Sequence, residues 1–180
     1  MPRVPITFTA FHFASQGAEG IAVRVRVFWI GKTRLPGVAA LTEEYAKRLG
    51  RYCEFQGQEL REVLREALRD QKRSAGRLTA AEANLLARSE GAYRVALDPA
   101  GRSWSSPELA AFLKKKRDGG SRAVAFCVGG AEGFSQSFRE KADLLLSLSP
   151  MTLPHELARV VLLEQLYRAF TLLAGHPYPR

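Results

Sequence analysis

A run of six apolar residues, Ala123 to Val128, limits the folds open to this chain more than any other segment. The run has the length of a β-strand, and its apolar character throughout predicts a central strand that is buried on both faces. Such strands belong to parallel sheets that helices cover on both sides. The segment therefore predicts an α/β fold with a largely parallel sheet.

Strands and helices alternate along the rest of the chain, as such a sheet requires. Val23, Val25 and Val27 alternate with two arginines, which predicts a strand that ends at Gly31. Further strands are predicted in Tyr52 to Leu60, Tyr93 to Leu97 and Leu145 to Ser149, and helices in Val38 to Leu49, Arg61 to Gln71, Thr79 to about Gly91, Ser106 to about Arg117, Ser137 to Leu144 and Pro154 to about Ala174. The chain contains no repeat, low-complexity tract or linker, so we expect one domain from about residue 23.

The charge of the chain indicates which partners it can bind. The formal net charge is +9 and the sequence pI is about 10, which favours nucleic acid or an anionic membrane surface as partner. No apolar run approaches the roughly 18 residues that span a bilayer. The two cysteines, Cys53 and Cys127, lie far apart without metal-ligand spacing, so we expect reduced thiols and a cytoplasmic protein, and no metal site.

The first 22 residues differ from the rest. Thr9 and His12 interrupt their apolar stretch, so the segment makes a poor signal peptide. We expect these residues to be weakly ordered or irregular.

Three loops follow predicted strands, and in an open parallel sheet ligands bind at the carboxyl ends of the strands. The loops are Leu97 to Gly101, Gly129 to Gly133, and Leu148 to Pro154. The second has three glycines in five residues, so its backbone can approach a ligand closely, although a simple tight turn explains it as well. The third combines two prolines with hydroxyls and a thioether, which suits a partly apolar ligand such as an adenosine.

The final helix carries two further features. Its apolar residues spread over about half of the circumference, which predicts burial against a second copy of the chain as well as the sheet. Arg159 falls in the middle of this arc, where it needs an anionic or planar partner or must extend outward along its aliphatic stem. His155, at the helix start, is either a functional residue or one that bonds locally.

Several segments together resemble the RlmH-type methyltransferases of the SPOUT class. The longest is LSLSPMTLPHELARVVLLEQLYRAFTLLAGHPYPR, with its Thr-x-Pro-His start, Arg-Val-x-x-x-Glu-x-x-Tyr-Arg-Ala helix and His-Pro-Tyr tail. The segments VALDPAGRSWSSPELA, FCVGGAEGF, VRVFWIGKTR and EEYAKRL are similar to that family too. The likeness covers roughly Val23 to Arg180, which leaves residues 1–22 as an N-terminal extension or the product of a misassigned start codon.

The resemblance implies a SPOUT-type parallel sheet flanked by helices with a C-terminal trefoil knot, and a homodimer as the working unit. It implies transfer of a methyl group from S-adenosyl-L-methionine to N3 of a pseudouridine in 23S rRNA, in free RNA, the large ribosomal subunit or the 70S ribosome. The implied cofactor contacts lie in the three loops, at Leu97, Gly129, Leu148, Ser149, Pro150, Met151, Thr152 and Leu153.

This chemistry needs a group that receives the N3 proton and cations that hold phosphates. His155 and Arg159 are the candidate catalytic residues, and Arg24, Arg26, Lys32, Arg34 and Arg180 are candidates for phosphate contacts. Pro179 stands where the family usually has a histidine, and His155 or His176 would have to compensate for it. That departure leaves an alternative, a non-catalytic, ribosome-associated RNA-binding protein of the same fold. A nucleotide-binding protein unrelated to RNA is disfavoured by the missing phosphate motifs.

Overall fold

A computed structural model describes residues 11–13, 23–61, 77–120 and 123–178. Their strands form one sheet of six, in the order β1-β3-β2-β5-β4-β6. The elements along the chain are β1 (Phe11–Phe13), β2 (Arg24–Ile30), α1 (Pro36–Leu49), β3 (Glu54–Leu60), α2 (Ala80–Arg88), β4 (Tyr93–Ser103), α3 (Ser106–Asp118), β5 (Ala123–Val128), α4 (Gln136–Arg139), β6 (Leu144–Ser147) and α5 (His155–Leu173).

The apolar run that predicted a central strand is β5. It pairs in parallel with β2 on one side and β4 on the other, and all six of its residues are buried. β3 and β6 extend the parallel sheet outward, and β1 adds an antiparallel edge beside β3. The prediction of an α/β fold with a largely parallel sheet is confirmed.

Helices cover both faces of the sheet, because the residues of each strand alternate between them. Val25, Val27 and Trp29 of β2 pack with α1, α3 and α5 in the larger core cluster. Phe28 and Ile30 point to the other face, where α2 and α4 cover a smaller cluster. No helix in the described ranges is long and apolar enough to cross a membrane.

Three local predictions were wrong in detail. The helix predicted from Ser137 to Leu144 is only Gln136–Arg139, and Leu144 begins β6. β4 does not end in a turn after Leu97 but continues to Ser103, and a bulge between Leu97 and Arg102 shifts its pairing with β6. The residue that caps α3 is Ser105 and not Ser106, because the Ser105 side chain accepts the Glu108 N–H in a capping box.

Other predictions fall partly outside the described ranges. The helix predicted over residues 61–71 lies almost wholly there. Of the first 22 residues, the structure describes Phe11–Phe13, which pair as a regular strand with β3. The weak order expected for the rest of that segment stays a prediction.

Candidate active site

A cavity of about 810 Å³ opens beside the bulge of β4, at the carboxyl ends of β5 and β6. The cavity is lined by this bulge, by the loops that follow β5 and β6, and by the first turn of α5. Its volume lies within the usual range of roughly 300–1,000 Å³ for small-molecule sites. The topology places the loops together, because parallel strands end at the same edge of the sheet.

Most residues predicted to bind the cofactor lie in this cavity. The lining includes Leu97, Gly129, Leu148, Ser149, Met151, Thr152 and Leu153. Pro150 belongs to the same loop but does not line the cavity. Of the two candidate catalytic residues, His155 lines the cavity and Arg159 does not.

The glycine-rich loop after β5 is compact because its backbone folds onto itself. A Cβ atom on Gly129 would lie 2.9 Å from the carbonyl carbon of Gly133, and Gly133 has a φ of +73°, which side chains rarely allow. The loop ends at Ser135, whose N–H and hydroxyl donate to the Glu82 carboxylate at 2.6 and 2.8 Å. Glu82 also accepts the Thr79 N–H at the start of α2, so one buried carboxylate joins that helix to the loop.

The loop after β6 is held by its own serines. The Ser147 hydroxyl donates to the Ser149 carbonyl, and the Ser149 hydroxyl accepts the Met151 N–H, each at 2.9 Å. These bonds fold the loop at the cavity, and Met151, which lines the cavity, is 76% exposed. The loop therefore offers hydroxyl, thioether and main-chain groups at the cavity mouth.

An ion pair that the sequence reasoning missed closes another side of the cavity. Arg139 of α4 contacts the Asp98 carboxylate through Nε at 3.1 Å and Nη2 at 3.3 Å. Asp98 also accepts the Ala100 N–H at 2.8 Å, which shapes the bulge of β4. The sequence gives one signal for this site, an aspartate before Pro-Ala-Gly, which is typical of such local turns.

His155 packs against Gly31 at the end of β2, where a Cβ atom would lie 3.5 Å from the histidine Nε2. The next residues, Lys32 to Leu35, form with Gly31 the segment that we call the rim loop. Two carboxylates hold it: Glu59 accepts the Thr33 N–H, and Glu156 accepts the Arg34 and Leu35 N–H groups. The rim loop is thereby fixed beside the first turn of α5.

Arg159 lies four residues after His155 on α5 and is 1% exposed. Its guanidinium carbon is 4.5 Å from the centre of the Trp29 ring, and its Nε and Nη2 have no hydrogen-bond partner among the described residues. Burial lowers the pKa of Arg159 to about 10, against the opposing influence of Glu156 and Glu59, so the side chain stays cationic at neutral pH. The outward extension considered for Arg159 does not occur.

The C-terminal tail lies at the other end of α5, about 27 Å away by the rise of a 19-residue helix. His176 Nδ1 is 2.9 Å from the Tyr52 hydroxyl, and the Tyr178 ring lies under the Arg168 guanidinium at 4.3 Å. Burial raises the pKa of Tyr178 to about 12, with a further contribution from hydrogen bonding to Tyr45. Within one chain His176 is therefore remote from the cavity. Pro179 and Arg180 lie outside the described residues.

The cations predicted to hold phosphates are divided between two ends of the sheet. Lys32 and Arg34 are exposed in the rim loop beside the cavity. Arg24 and Arg26 lie near the start of β2, about 20 Å and 13 Å from its end at 3.3 Å per residue. Arg24 also forms an ion pair with Glu54 at 2.7 Å.

Both cysteines are free and buried. Burial raises the pKa of the Cys127 thiol to about 12 and moves that of Cys53 in the same direction. Among the described residues, no group of three or more His, Cys, Asp or Glu side chains could hold a metal ion.

Comparison with known proteins connects this geometry to a family. Residues 23–179 match a family model described as a predicted SPOUT methyltransferase. A protein of Geotalea daltonii named "Ribosomal RNA large subunit methyltransferase H" is 43% identical over 156 residues, which is 87% of this chain and 99% of that protein. A protein of the same name from Geobacter sp. strain M21 is 42% identical over 158 residues, 87% of this chain and 98% of that protein.

A solved structure shows the same fold. The crystal structure of a probable methyltransferase from Bordetella pertussis Tohama I superposes with a TM-score of 0.51 at 15% sequence identity. The superposition covers 82% of this chain and 95% of that protein.

Proposed function

Because the chain belongs to the SPOUT methyltransferase family, we propose that it is an S-adenosylmethionine-dependent rRNA methyltransferase acting on the large ribosomal subunit. More specifically, we propose that the methyl group is transferred to N3 of a pseudouridine in 23S rRNA. The observation that carries the proposal is that the bulge of β4 and the loops after β5 and β6 line one cavity. Relatives of 43% and 42% identity, matched over nearly their full length, bear names of this activity.

The residues of the cavity fit the cofactor. Leu97, Leu148 and Leu153 give apolar walls for an adenine ring. The glycine-rich loop has no side chain at Gly129 or Gly133, so its backbone can approach the cofactor closely. The Asp98–Arg139 pair and the serine hydroxyls supply polar groups for the ribose and the amino acid part. When bound, S-adenosylmethionine supplies a methyl group on a positively charged sulfur.

The protein's own task is to align the base with that methyl group and to remove the N3 proton. Four titratable side chains line the cavity: Asp98, Glu132, Arg139 and His155. Asp98 and Arg139 are engaged with each other, which leaves His155 and Glu132 to receive the proton. His155 is the better placed of the two, because α5 and Gly31 fix its ring at the cavity wall.

The RNA would approach over the rim loop. Lys32 and Arg34 are exposed in this loop, whose Gly31 lies against the cavity-lining His155, and a net charge of +9 favours a polyanionic partner. Arg24 and Arg26 lie too far from the cavity to hold phosphates next to the reacting base, so we no longer assign them that role.

We further propose a homodimer in the cytoplasm. Leu157 and Val161 on α5 are 44% and 37% exposed, and Val161 borders a second cavity of about 270 Å³ between α3 and α5. An exposed apolar strip beside a groove favours a protein partner, and a second copy is what the resemblance implies. Val161→Glu should give monomers by size-exclusion chromatography with light scattering.

Two buried free thiols support the proposed cytoplasmic location.

The trefoil knot stays a proposal as well. Its support is the strand order: β6 pairs with β4 on the side away from β5, and α5 then returns to pack against α1 and α3. We also propose residues 23–180 as the methyltransferase domain and residues 1–22 as an extension. Mass spectrometry of the N-terminus of the native protein tests that division.

The function is tested by mapping N3-methylated pseudouridine in 23S rRNA from cells with and without this protein. Loss of the modification on deletion, restored by the wild-type chain, is the expected result. Unchanged methylation would refute the assignment to N3. Calorimetric titration with S-adenosylmethionine separates an enzyme from a non-catalytic RNA-binding protein, because the latter would show no cofactor binding.

The proton acceptor is tested by comparing His155→Ala with Glu132→Gln. We expect His155→Ala to lower kcat while S-adenosylmethionine still binds, and Glu132→Gln to leave kcat within a few-fold of wild type. Full activity in His155→Ala would exclude that residue, and a loss confined to Glu132→Gln would identify Glu132 as the group that receives the proton.

A further inference from the structure

Three successive backbone N–H groups of the rim loop donate to side-chain carboxylates. Thr33 donates to Glu59 through its N–H and its hydroxyl, each at 2.9 Å. Arg34 and Leu35 donate to the same Glu156 oxygen at 3.1 and 3.2 Å. The position of this loop therefore depends on two carboxylates, one on β3 and one in the first turn of α5.

Both carboxylates lie near one buried cation. Arg159 follows Glu156 by three residues on α5, so the two side chains lie on the same face of the helix. The Arg159 guanidinium lies over the Trp29 ring at 4.5 Å, and Trp29 pairs in register with Glu59 on the neighbouring parallel strand. Glu59 and Glu156 therefore approach Arg159 from two elements, without a direct hydrogen bond to its Nε or Nη2. Arg159 is 1% exposed and does not line the cavity, so we expect no direct contact with a molecule bound there.

A carboxylate removed from water is costly unless a cation compensates it. Glu156 is 8% exposed, and Glu59 is partly buried next to Thr33, which is 3% exposed. Without Arg159, two anions would share a poorly hydrated space, and one of them would have to turn toward solvent. Turning away would break its hydrogen bonds to the rim loop.

We propose that Arg159 is a positioning residue: as the counter-ion of Glu59 and Glu156, it keeps the rim loop and its two exposed cations next to His155. This assigns Arg159 a role other than direct contact with the reacting base. The consequence for RNA binding rests on the function proposed above, whereas the consequence for the loop does not.

Amide hydrogen exchange of the full chain tests the loop directly. In Arg159→Met, which keeps the aliphatic stem but removes the charge, the amides of Thr33, Arg34 and Leu35 should exchange about ten- to a hundredfold faster. Amides of β5 serve as an internal control for global unfolding and should change much less. Unchanged exchange at these three amides in Arg159→Met would overturn the proposal.

Variants of the carboxylates make the test specific. Glu156→Ala should speed exchange at Arg34 and Leu35 and leave Thr33 nearly unchanged, and Glu59→Ala should do the reverse. Arg159→Lys keeps the charge and should preserve most of the protection. The double variant Arg159→Met/Glu156→Gln should be less perturbed than Arg159→Met, because it no longer buries an uncompensated anion. These comparisons test the proposal even if Arg159→Met does not fold. If the Arg34 amide exchanged as fast in Arg159→Lys as in Glu156→Ala, the proposal would be contradicted.

Kinetics separates positioning from catalysis. Arg159→Met should raise KM for the RNA while the Kd for S-adenosylmethionine stays within about twofold of wild type, since Arg159 lies outside the cavity. A fall in kcat with normal loop protection would instead indicate direct participation and refute the positioning role. If the wild-type chain methylates no RNA, the function proposed above fails and the exchange measurements still decide the role of Arg159.

Discussion

Glu82 and Glu108 occupy the same position in two helices, but only Glu82 also binds Ser135 at the end of the glycine-rich loop. Comparing the two residues therefore tests how that loop is held. Each is the third residue of its helix and accepts the N–H of the capping residue at 2.7 Å. Glu82 alone also accepts the N–H and hydroxyl of Ser135, at 2.6 and 2.8 Å, and it is 2% exposed. We predict that Glu82→Ala destabilises the protein far more than Glu108→Ala.

The size of the effect follows from the bonds that are lost. A hydrogen bond to a charged group contributes about 1.5–3 kcal/mol, and a helix cap about 1 kcal/mol. Because Ser135 is only partly buried, we use the lower end for its two bonds, which gives about 4 kcal/mol for Glu82→Ala. For a domain of this size that corresponds to a fall in Tm of about 8–16 °C.

The assay is urea unfolding followed by circular dichroism at one protein concentration, with calorimetric titration of S-adenosylmethionine on the same samples. Glu82→Ala should also weaken cofactor binding, because the loop it holds lines the cavity. Glu108→Ala, in a helix whose residues do not line the cavity, should bind the cofactor as wild type does. Equal stability losses in the two variants would refute the reasoning, since the bridge to Ser135 would then contribute nothing.

Three further predictions follow from single sites. Gly129→Ala should fold but bind S-adenosylmethionine at least about tenfold more weakly by calorimetry, because its Cβ would lie 2.9 Å from the Gly133 backbone; wild-type affinity would show that the loop adapts. Because burial raises the pKa of Cys127 to about 12 and raises that of Cys53 too, neither thiol should react with a disulfide reagent at pH 8 until denaturant is added, and rapid labelling of the native protein would contradict this. Lys32→Ala should reduce the slope of log affinity for RNA against log salt by about one, whereas Lys47→Ala, an exposed lysine at the far end of α1, should not.

The sequence could predict the sheet and the cavity because their signals are local. An apolar hexamer identified the central strand, and loops after parallel strands must meet at one edge. His155 could be placed at the same edge because it begins the helix after the last of these loops.

The partners of the charged residues could not be predicted, because each joins segments far apart in the chain. The capping box showed one partner of Glu82, but its second, Ser135, lies 53 residues away. For Arg159 the sequence left two possibilities open, burial against an anionic or planar partner and outward extension along its aliphatic stem. Glu59 and Trp29, on two other strands, could be found only when the fold had brought them under α5.

The bulge of β4 was misread as a turn because the sequence Asp98-Pro99 favours a turn and a bulge alike. Only the pairing of β4 with β6 distinguishes the two structures.

These charged contacts share a physical purpose at the cavity. Three segments at or near it are held by carboxylates: Glu82 holds the glycine-rich loop, Asp98 the bulge of β4, and Glu59 and Glu156 the rim loop, whereas serines hold the loop after β6. Carboxylates suit this task because one group accepts several N–H donors and so fixes a backbone that has no strand or helix partner. Transfer of a methyl group to a base depends mainly on alignment, so loops fixed before binding lower the entropy lost when both reactants are brought together. The cations left unpaired in the rim loop, Lys32 and Arg34, are then free to bind the phosphates of the RNA.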